Sequence, residues 1–238
     1  MTPPAAPERY KNHRFPGEII SHGVWLSSRF PLSYRDVEEL LCERGIDVTH
    51  EAIRPWGLKC GQDYANRLKH RRAHPGDKWH LDEVFVTING KRHSLWRAVD
   101  QDDNVLDILV QSRRNTHAAK QFFRKLLKGL PFVPRGIITD KLKSYGAAKR
   151  EILPGVAHRQ SRSLNNRCEH SHRPTRQRES RMQGFQSAGH AQRFLSASGP
   201  IAQHFRPRRH LLSATESRAE MQNRFASWAE IPGTKWAA

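Results

Sequence analysis

The segment that decides the predicted fold is KWHLDEVFVTINGKRHSLWRAVD, residues 78–100. From Lys78 onward, apolar residues alternate with polar ones, which is typical of a half-buried strand. Asn89-Gly90 separates the two alternating runs and favours the tight turn of a β-hairpin, because both residues tolerate positive φ. A turn at 102–104 and the run VLDILVQS then predict a third antiparallel strand.

A helix and a fourth strand are predicted next. Asn115 is a suitable N-cap for THAAKQFFRKLLKGL, and Gly129 and Pro131 end the helical pattern. One face of this helix is apolar, at Phe122, Leu126 and Leu130. The strand RGIITD, residues 135–140, is apolar without alternation, which favours a central strand covered on both faces. This order of elements predicts an α/β fold with a mixed sheet.

The earlier block SYRDVEELLCERGIDVTHEAIRPWGLKCG predicts two helices joined by a turn. Ser33 is a suitable N-cap for the first helix, which Gly45 ends, and Thr49 can cap the second. Such a pair is typical either of a helix-turn-helix, whose second helix enters the major groove of DNA, or of a generic helical hairpin. Pro55 predicts that the second helix is short or kinked.

Composition divides the 238 residues into four predicted parts, with room for one sizeable core and a small accessory module. Residues 1–20 lack an apolar period and are expected to form a flexible tail. Residues 21–75 hold the two predicted helices. The α/β domain extends over 76–205, and its polar, Arg-rich end is expected to be helical. Residues 206–238 are expected to form a basic tail with a short final helix.

The chain carries a large positive charge. Lys and Arg number 41 against 23 acidic residues, a formal net charge of +18 at pH 7. A surface kept basic for solubility needs fewer charges of more mixed sign, so the excess indicates a polyanionic partner. Nucleic acid is favoured, with an anionic membrane as the rival.

Membrane, secretory and zinc signals are missing from the sequence. No run approaches the roughly 18 apolar residues that span a bilayer, so no membrane protein is predicted. The opening MTPPAAPERYKNHRF has no apolar segment of a secretory signal. Cys42, Cys60 and Cys168 form no CxxC pair, so neither a disulfide framework nor a structural zinc site is expected, and a cytoplasmic location fits.

Two aspartates lie where the predicted strands can bring them together. Asp82 interrupts the apolar strand WHLDEVFV, with Glu83 on the opposite face, and burying a charge is costly unless it is paired or binds a cation. Asp140 ends the strand RGIITD, where α/β folds place their ligands. On adjacent central strands the two can share a divalent ion. The alternatives are that Asp82 pairs with an arginine and that Asp140 caps the next helix.

A third acid is expected from the polar helix that follows. Glu169 and Glu179 are the candidates. We favour Glu169, because one helical face continues from it through residues suited to phosphate: His172, Arg173 and Arg176. The alternative for either acid is a surface glutamate balanced by arginines. Three acids in a basic chain suit phosphoryl transfer on DNA, because Mg²⁺ prefers oxygen ligands and two ions stabilise both the entering and the leaving oxygen.

Four segments carry a family resemblance: WHLDEVFVTINGK, LWRAVDQDDNVLDILVQSRRN, IITDKLKSYG and HRQSRSLNNRCEHSHRPTRQRE. They closely resemble the DDE transposases of insertion sequence family 6, which move small bacterial elements. The likeness extends from about Phe15 to about Arg209. It implies an N-terminal helix-turn-helix over 21–75 and an RNase H-like, integrase-type catalytic domain over 76–205.

The resemblance also implies the chemistry. Asp82, Asp140 and Glu169 match the acids that hold two Mg²⁺ ions in this family, with Mn²⁺ as a substitute. Attack on a phosphodiester by water, and later by a DNA 3′-OH, is then in line and forms no covalent protein intermediate. Strand cleavage and strand transfer are the expected reactions.

The implied partners are the terminal inverted repeats of the element and target DNA. Two DNA ends imply a homodimer or larger assembly. The expected location is the bacterial cytoplasm, at the nucleoid. Contacts to DNA are expected from Arg54, Lys141, Arg173 and Arg176. For Tyr145, stacking on a base and packing in the core both remain open.

Three features depart from the family pattern. Only 28 residues separate Asp140 from Glu169, Pro55 falls in the recognition helix, and Ser198-Gly199-Pro200 falls in a late helical segment. They leave an alternative open, a catalytically inactive or decayed transposase that acts only as a DNA-binding protein. A basic RNA-associated protein is a third interpretation, but it leaves Asp82 without a role.

Overall fold

A computed structural model describes residue 10 and residues 13–71, 75–130, 132–161, 163–165, 168, 171–181, 184–207 and 211–233. The chain divides into two compact units, one formed by 72–196 and the other by 1–71 together with 197–238. Within the described ranges, no helix is both long and apolar enough to cross a membrane.

A five-stranded mixed sheet forms the centre of the unit 72–196. Its strands are β1 (Lys78–Ile88), β2 (Lys91–Asp100), β3 (Val105–Gln111), β4 (Gly136–Thr139) and β5 (Ala157–Gln160). They lie in the order β3-β2-β1-β4-β5. The first three are antiparallel to one another, whereas β4 is parallel to both β1 and β5. This arrangement is RNase H-like, and the predicted α/β class with a mixed sheet is confirmed.

The predicted hairpin and the third antiparallel strand that follows it are both confirmed. Asn89 has φ 48° and Gly90 has φ 71°, the pair of positive angles that the tight turn requires. The strand predicted from RGIITD is β4, and it lies between β1 and β5 as a central strand should. Its inward side chains, Ile137 and Thr139, are buried.

The edge strand β5 was not predicted. Its four residues, AHRQ, are mostly exposed and carry neither an apolar run nor a buried alternation. The strand exists because its backbone pairs with β4, from Gly136 opposite Ala157 to Thr139 opposite Gln160. Such pairing leaves no periodic signal in the sequence, and the predicted element order therefore lacks this strand.

The sheet is covered by helices on both faces. One face packs against α4 (Thr116–Lys128) and α5 (Lys143–Ile152), and the other contacts the start of α7 (Ala188–His204). The predicted N-cap of α4 is confirmed, since Asn115 Oδ1 accepts from Ala118 N at 3.0 Å. Gly129 ends α4 as predicted, while Pro131 lies outside the described residues.

Tyr145 belongs to the core beneath α4 and α5. Its side chain is fully buried, and its ring centroid lies 5.3 Å from that of Trp96. A ring without exposed surface has no face to offer to a base. Of the two roles considered for Tyr145, the structure supports core packing.

The second unit is helical. Its first three helices are α1 (Gly17–Arg29), α2 (Tyr34–Cys42) and α3 (His50–His70). Ser33 and Asp36 form a capping box at the start of α2. Gly45, at φ 73°, lies in the turn before α3, which begins directly after Thr49 as predicted. The predicted pair of helices is confirmed.

The two helical prolines do not interrupt their helices. The helix predicted to be short or kinked, α3, is not short: it has 21 residues and contains Pro55. Likewise, α7 runs through Pro200. A proline in a helix interior removes one backbone hydrogen bond, at a cost of about 3 kcal/mol. Burial of Ile53, Trp56 and Tyr64 along α3 offsets that cost. Neither proline therefore interrupts its helix, and a decayed protein is not favoured.

Both predicted tails contain packed structure. At the N-terminal end, α1 begins at Gly17, and Tyr10 is buried with its hydroxyl 2.6 Å from that of Tyr64. At the other end, α8 (Ala214–Glu230) has a Ser213 capping box, and Trp228 is fully buried in the same core. The helical stripe Met221, Phe225 and Trp228 was the overlooked signal.

Candidate active site

Three carboxylates meet at the sheet, those of Asp82, Glu83 and Asp140, and we call them the acidic cluster. One oxygen from each lies within 4.8 Å of the others. The parallel register explains why. The pairing of β1 with β4 ends at Leu81 opposite Thr139, so Asp82 and Asp140 are each the next residue along neighbouring strands. The predicted proximity of these two aspartates agrees with this register.

Glu83 joins the cluster although alternation places it on the other face from Asp82. On its own face it lies beside Tyr145 and Arg114. Beyond Leu81 the backbone of β4 no longer pairs with β1, so no strand separates the two faces there. Sequence reasoning assigned Glu83 no role. The signal in the sequence was a second acid, directly after Asp82 in the same strand.

Arg114 bridges two members of the acidic cluster. Its Nε donates to Glu83 Oε1 at 2.6 Å, and its Nη2 lies 3.8 Å from Asp140 Oδ2. The Glu83 side chain is 2% exposed, and this burial is the main cause that raises its pKa to about 7. The negative charge of Asp140 adds to the rise, while Tyr145 and Arg114 oppose it.

His172 lies against the other side of the cluster. Its Nε2 is 3.5 Å from Asp82 Oδ2, and its side chain is 2% exposed. Burial, together with the charges of Arg97 and Arg176, lowers the pKa of His172 to about 4 although Asp82 opposes this. The imidazole is therefore neutral at pH 7 and does not neutralise Asp82.

The alternatives considered for the aspartates have different outcomes. Arg97 is the β2 partner of Asp82, but its guanidinium donates instead to Ser171 O and Thr175 Oγ1. Among the described residues no arginine forms an ion pair with Asp82. Asp140 does support the next helix, since its Oδ1 accepts from Leu142 N at 3.0 Å. Its other oxygen, Oδ2, lies on the Arg114 side.

The two candidates for the third acid lie in different situations. Glu169 lies outside the described residues, so its distance to the cluster stays a prediction. The carboxylate of Glu179 accepts from Thr87 N at 2.5 Å. Thr87 is five residues beyond Asp82 on β1, about 17 Å along an extended strand. Glu179 is thus engaged away from the acidic cluster.

The four predicted DNA contacts are all exposed side chains. Lys141 directly follows Asp140, and Arg173 and Arg176 lie on α6 (Arg173–Arg181), whose buried residues include Thr175 and Arg178. Arg54 lies on α3 in the helical unit, 3.9 Å from Glu51. Exposure leaves these cations free to meet phosphate, and their contact with DNA stays a prediction.

The chain is similar in sequence to known transposases. A family model described as a DDE domain, of the IS240 transposase type, matches residues 76–207. The chain is 34% identical over 191 residues to the transposase for insertion sequence-like element IS431mec of Staphylococcus aureus, covering 76% of this chain and 81% of the relative. The same identity and coverage hold for the transposase for insertion sequence element IS257 in transposon Tn4003 of Staphylococcus aureus.

Solved structures resemble the chain more distantly. The catalytic core domain of BIV integrase matches with a TM-score of 0.41 and 11% identity, over 64% of this chain and 99% of that chain. A simian T-cell lymphotropic virus intasome in complex with PP2A regulatory subunit B56 gamma matches with a TM-score of 0.42 and 15% identity, over 61% of this chain. The match spans 54% of the intasome chain, about half its length.

Proposed function

Since this chain belongs to the DDE transposases of insertion sequence family 6, we propose that Asp82, Asp140 and Glu169 form its metal-binding active site. The chain acts in DNA transposition as a polynucleotidyl transferase, and the proposed site cleaves a DNA strand and transfers the new end to a target. The convergence of the Asp82 and Asp140 oxygens where β1 leaves β4 carries this proposal.

The donor atoms fit a divalent metal. The acidic cluster offers only carboxylate oxygens, the ligands that Mg²⁺ prefers. Like charges held this close repel one another, and the raised pKa of Glu83 reflects in part the charge of Asp140. When bound, two Mg²⁺ ions, or Mn²⁺ in their place, supply Lewis-acid activation of the attacking oxygen and stabilise the leaving one.

Residues on both sides of Glu169 support it as the third ligand. Before it, Asn165 Nδ2 donates to Leu81 O at 2.9 Å, next to Asp82. After it, His172 lies against Asp82 itself. Buried Cys168, its immediate neighbour in sequence, donates its thiol to Arg97 O on the strand opposite. These three attachments of the flanking segment support the choice of Glu169 as the third ligand.

The remaining residues orient the acids and the DNA. Neutral His172 positions Asp82 without cancelling its charge. Lys141, Arg173 and Arg176 are proposed to bind phosphates of the strands that react. In the helical unit, α2 and α3 are proposed to act as the helix-turn-helix that binds the terminal inverted repeats, with Arg54 on its second helix.

The proposal extends to assembly and location. Two element ends must be held together for transfer into one target, so at least a homodimer is expected on DNA. Action on chromosomal DNA places the chain in the bacterial cytoplasm, at the nucleoid. Sedimentation of the chain with and without end-bearing DNA measures the assembly.

A plasmid assay tests the active site. Wild-type chain should nick and join supercoiled DNA that carries the element's ends, only with Mg²⁺ present. Asp82→Asn and Asp140→Asn should each lower the rate about 1000-fold, because loss of a bound ion removes several kcal/mol of transition-state stabilisation. The control is Asp107→Asn, since Asp107 lies outside the acidic cluster and pairs with Lys125 of α4. Full activity in both cluster variants would refute the proposal.

A further inference from the structure

A basic pocket of about 490 Å³ lies at the start of α5, beside the edge strand β5. Five of its lining residues are basic, namely Lys141, Lys143, Lys149, Arg150 and His158. Gly146 and Gln160 complete the lining, and no acid takes part. A concave surface with charges of one sign concentrates the field and attracts ions of the opposite sign.

The cations of the basic pocket lack internal counter-ions. Among the described residues, Lys141, Lys143 and Arg150 form no ion pair. The only acid of α5, Glu151, pairs instead with Lys120 and with Arg124 on α4. Like charges clustered without an acid repel one another, and a bound anion would relieve that repulsion.

The pocket is continuous with the acidic cluster through a chain of hydrogen bonds. His158 in its wall lies with Nε2 2.9 Å from Thr139 Oγ1, and Thr139 Oγ1 donates to Asp140 O at 2.8 Å. Because the Thr139 hydroxyl proton is used for Asp140, His158 is the donor in the first bond. Lys141, the next residue after Asp140, lines the pocket itself.

We propose that this basic pocket binds backbone phosphates of the reacting DNA, beside the phosphodiester held at the acidic cluster. The proposal rests on the function proposed above and adds a second contact point for the same strand. No Phe, Tyr or Trp lines the pocket, so it lacks the large aromatic side chains on which a free nucleotide base would stack. A pocket lined by cations suits phosphate, which is the repeated group of a nucleic-acid backbone.

The test uses the full chain and a fluorescent duplex that carries an element end. Anisotropy gives the Kd between about 50 and 200 mM salt in EDTA, so that binding does not depend on a metal. The double variant Lys143→Ala with Arg150→Ala should bind about tenfold more weakly at low salt. Its slope of log Kd against log salt should fall by about 1.8, or 0.9 for each lost phosphate contact. Lys143→Arg should retain the wild-type slope.

The matched control is Lys120→Ala with Arg124→Ala, which removes the same charge from α4. Its slope should stay at the wild-type value. An equal fall in the control would mean a general charge effect and would overturn the pocket. An unchanged slope in the pocket variant would overturn it too, and preference for duplex RNA over DNA would exclude a DNA site.

The two proposals fail separately. Asp140→Asn should retain the wild-type salt slope, because binding in EDTA does not involve the metal. If the salt slope falls in the pocket variant but the wild type shows no Mg²⁺-dependent nicking, the pocket is supported and the active site is refuted. If the wild type nicks DNA but the salt slope of the pocket variant is unchanged, the active site is supported and the pocket is refuted.

Discussion

The acidic cluster and the basic pocket are joined by one peptide bond, between Asp140 and Lys141, but they are built in opposite ways. In the cluster, the Glu83 side chain is 2% exposed and the carboxylate oxygens lie within 4.8 Å of one another. In the pocket, Lys141 and Lys143 are exposed and have no ion-pair partner among the described residues. The cluster therefore acts through position and the pocket through charge, which salt screens.

The largest effect should come from replacing the third proposed ligand by its amide. Glu169→Gln should lower the initial rate of strand transfer about 1000-fold, because position and charge are both needed for metal binding. Glu179→Gln is the matched control and should remain within twofold, since glutamine still accepts from Thr87 N. Full activity of Glu169→Gln would leave Glu83 as the third carboxylate of the cluster.

The pH dependence of stability tests how strongly burial acts in the cluster. The pKa of Glu83, raised to about 7, means that the folded chain holds a proton that the unfolded chain releases near 4.5. This contribution to the free energy of unfolding is present below pH 4.5 and is lost as the pH rises to 7, by about 3 kcal/mol. In metal-free buffer, Glu83→Gln should lack that loss.

His172 also contributes to the pH dependence of stability, so its contribution has to be separated from that of Glu83. Its lowered pKa, about 4, has the opposite sign: this stability is present above pH 6.5 and is lost as the pH falls through 4. The difference between wild type and Glu83→Gln in urea unfolding cancels the His172 contribution. A difference that does not change between pH 4.5 and 7 would contradict an effect of burial on Glu83.

Magnesium should stabilise the folded chain by slightly less than the change in stability expected from Glu83. At a concentration 100 times its Kd, a ligand that binds only the folded state adds about 2.7 kcal/mol. Calorimetric melting should show this gain for wild type and for the pocket variant Lys143→Ala, but not for Asp140→Asn. An equal gain in Asp140→Asn would place the ion elsewhere.

The smallest effects should come from single exposed cations. Lys141→Ala should lower the salt slope by about 0.9 on end-bearing and on random DNA alike, because phosphate contacts carry no sequence information. Arg54→Ala should weaken binding several-fold on end-bearing DNA only, as expected for a recognition helix. Anisotropy with both duplexes distinguishes them. A loss on random DNA equal to that on ends would remove Arg54 from recognition.

Local signals predicted much of the fold and part of the site. Asn89-Gly90 and the Asn115 cap depend on neighbours in sequence, so their turn and helix start could be predicted. Asp82 and Asp140 could be selected because an acid in or after an apolar strand is costly without a partner. The sequence did not predict the strand β5, the core contacts of the final helix α8, or the roles of Glu83 and Arg114. Each depends on pairing between distant segments.

By itself, the sequence determined four of the five strands, the hairpin turn, the helix caps and the excess of positive charge, since all of these follow from residue order and composition. Tertiary structure decided which acids converge. The register that places Leu81 opposite Thr139 brings Asp82 to Asp140, and the end of β4 at that point lets Glu83 join them. Strand register and side-chain burial arise from packing between segments far apart in the chain, which no local pattern encodes.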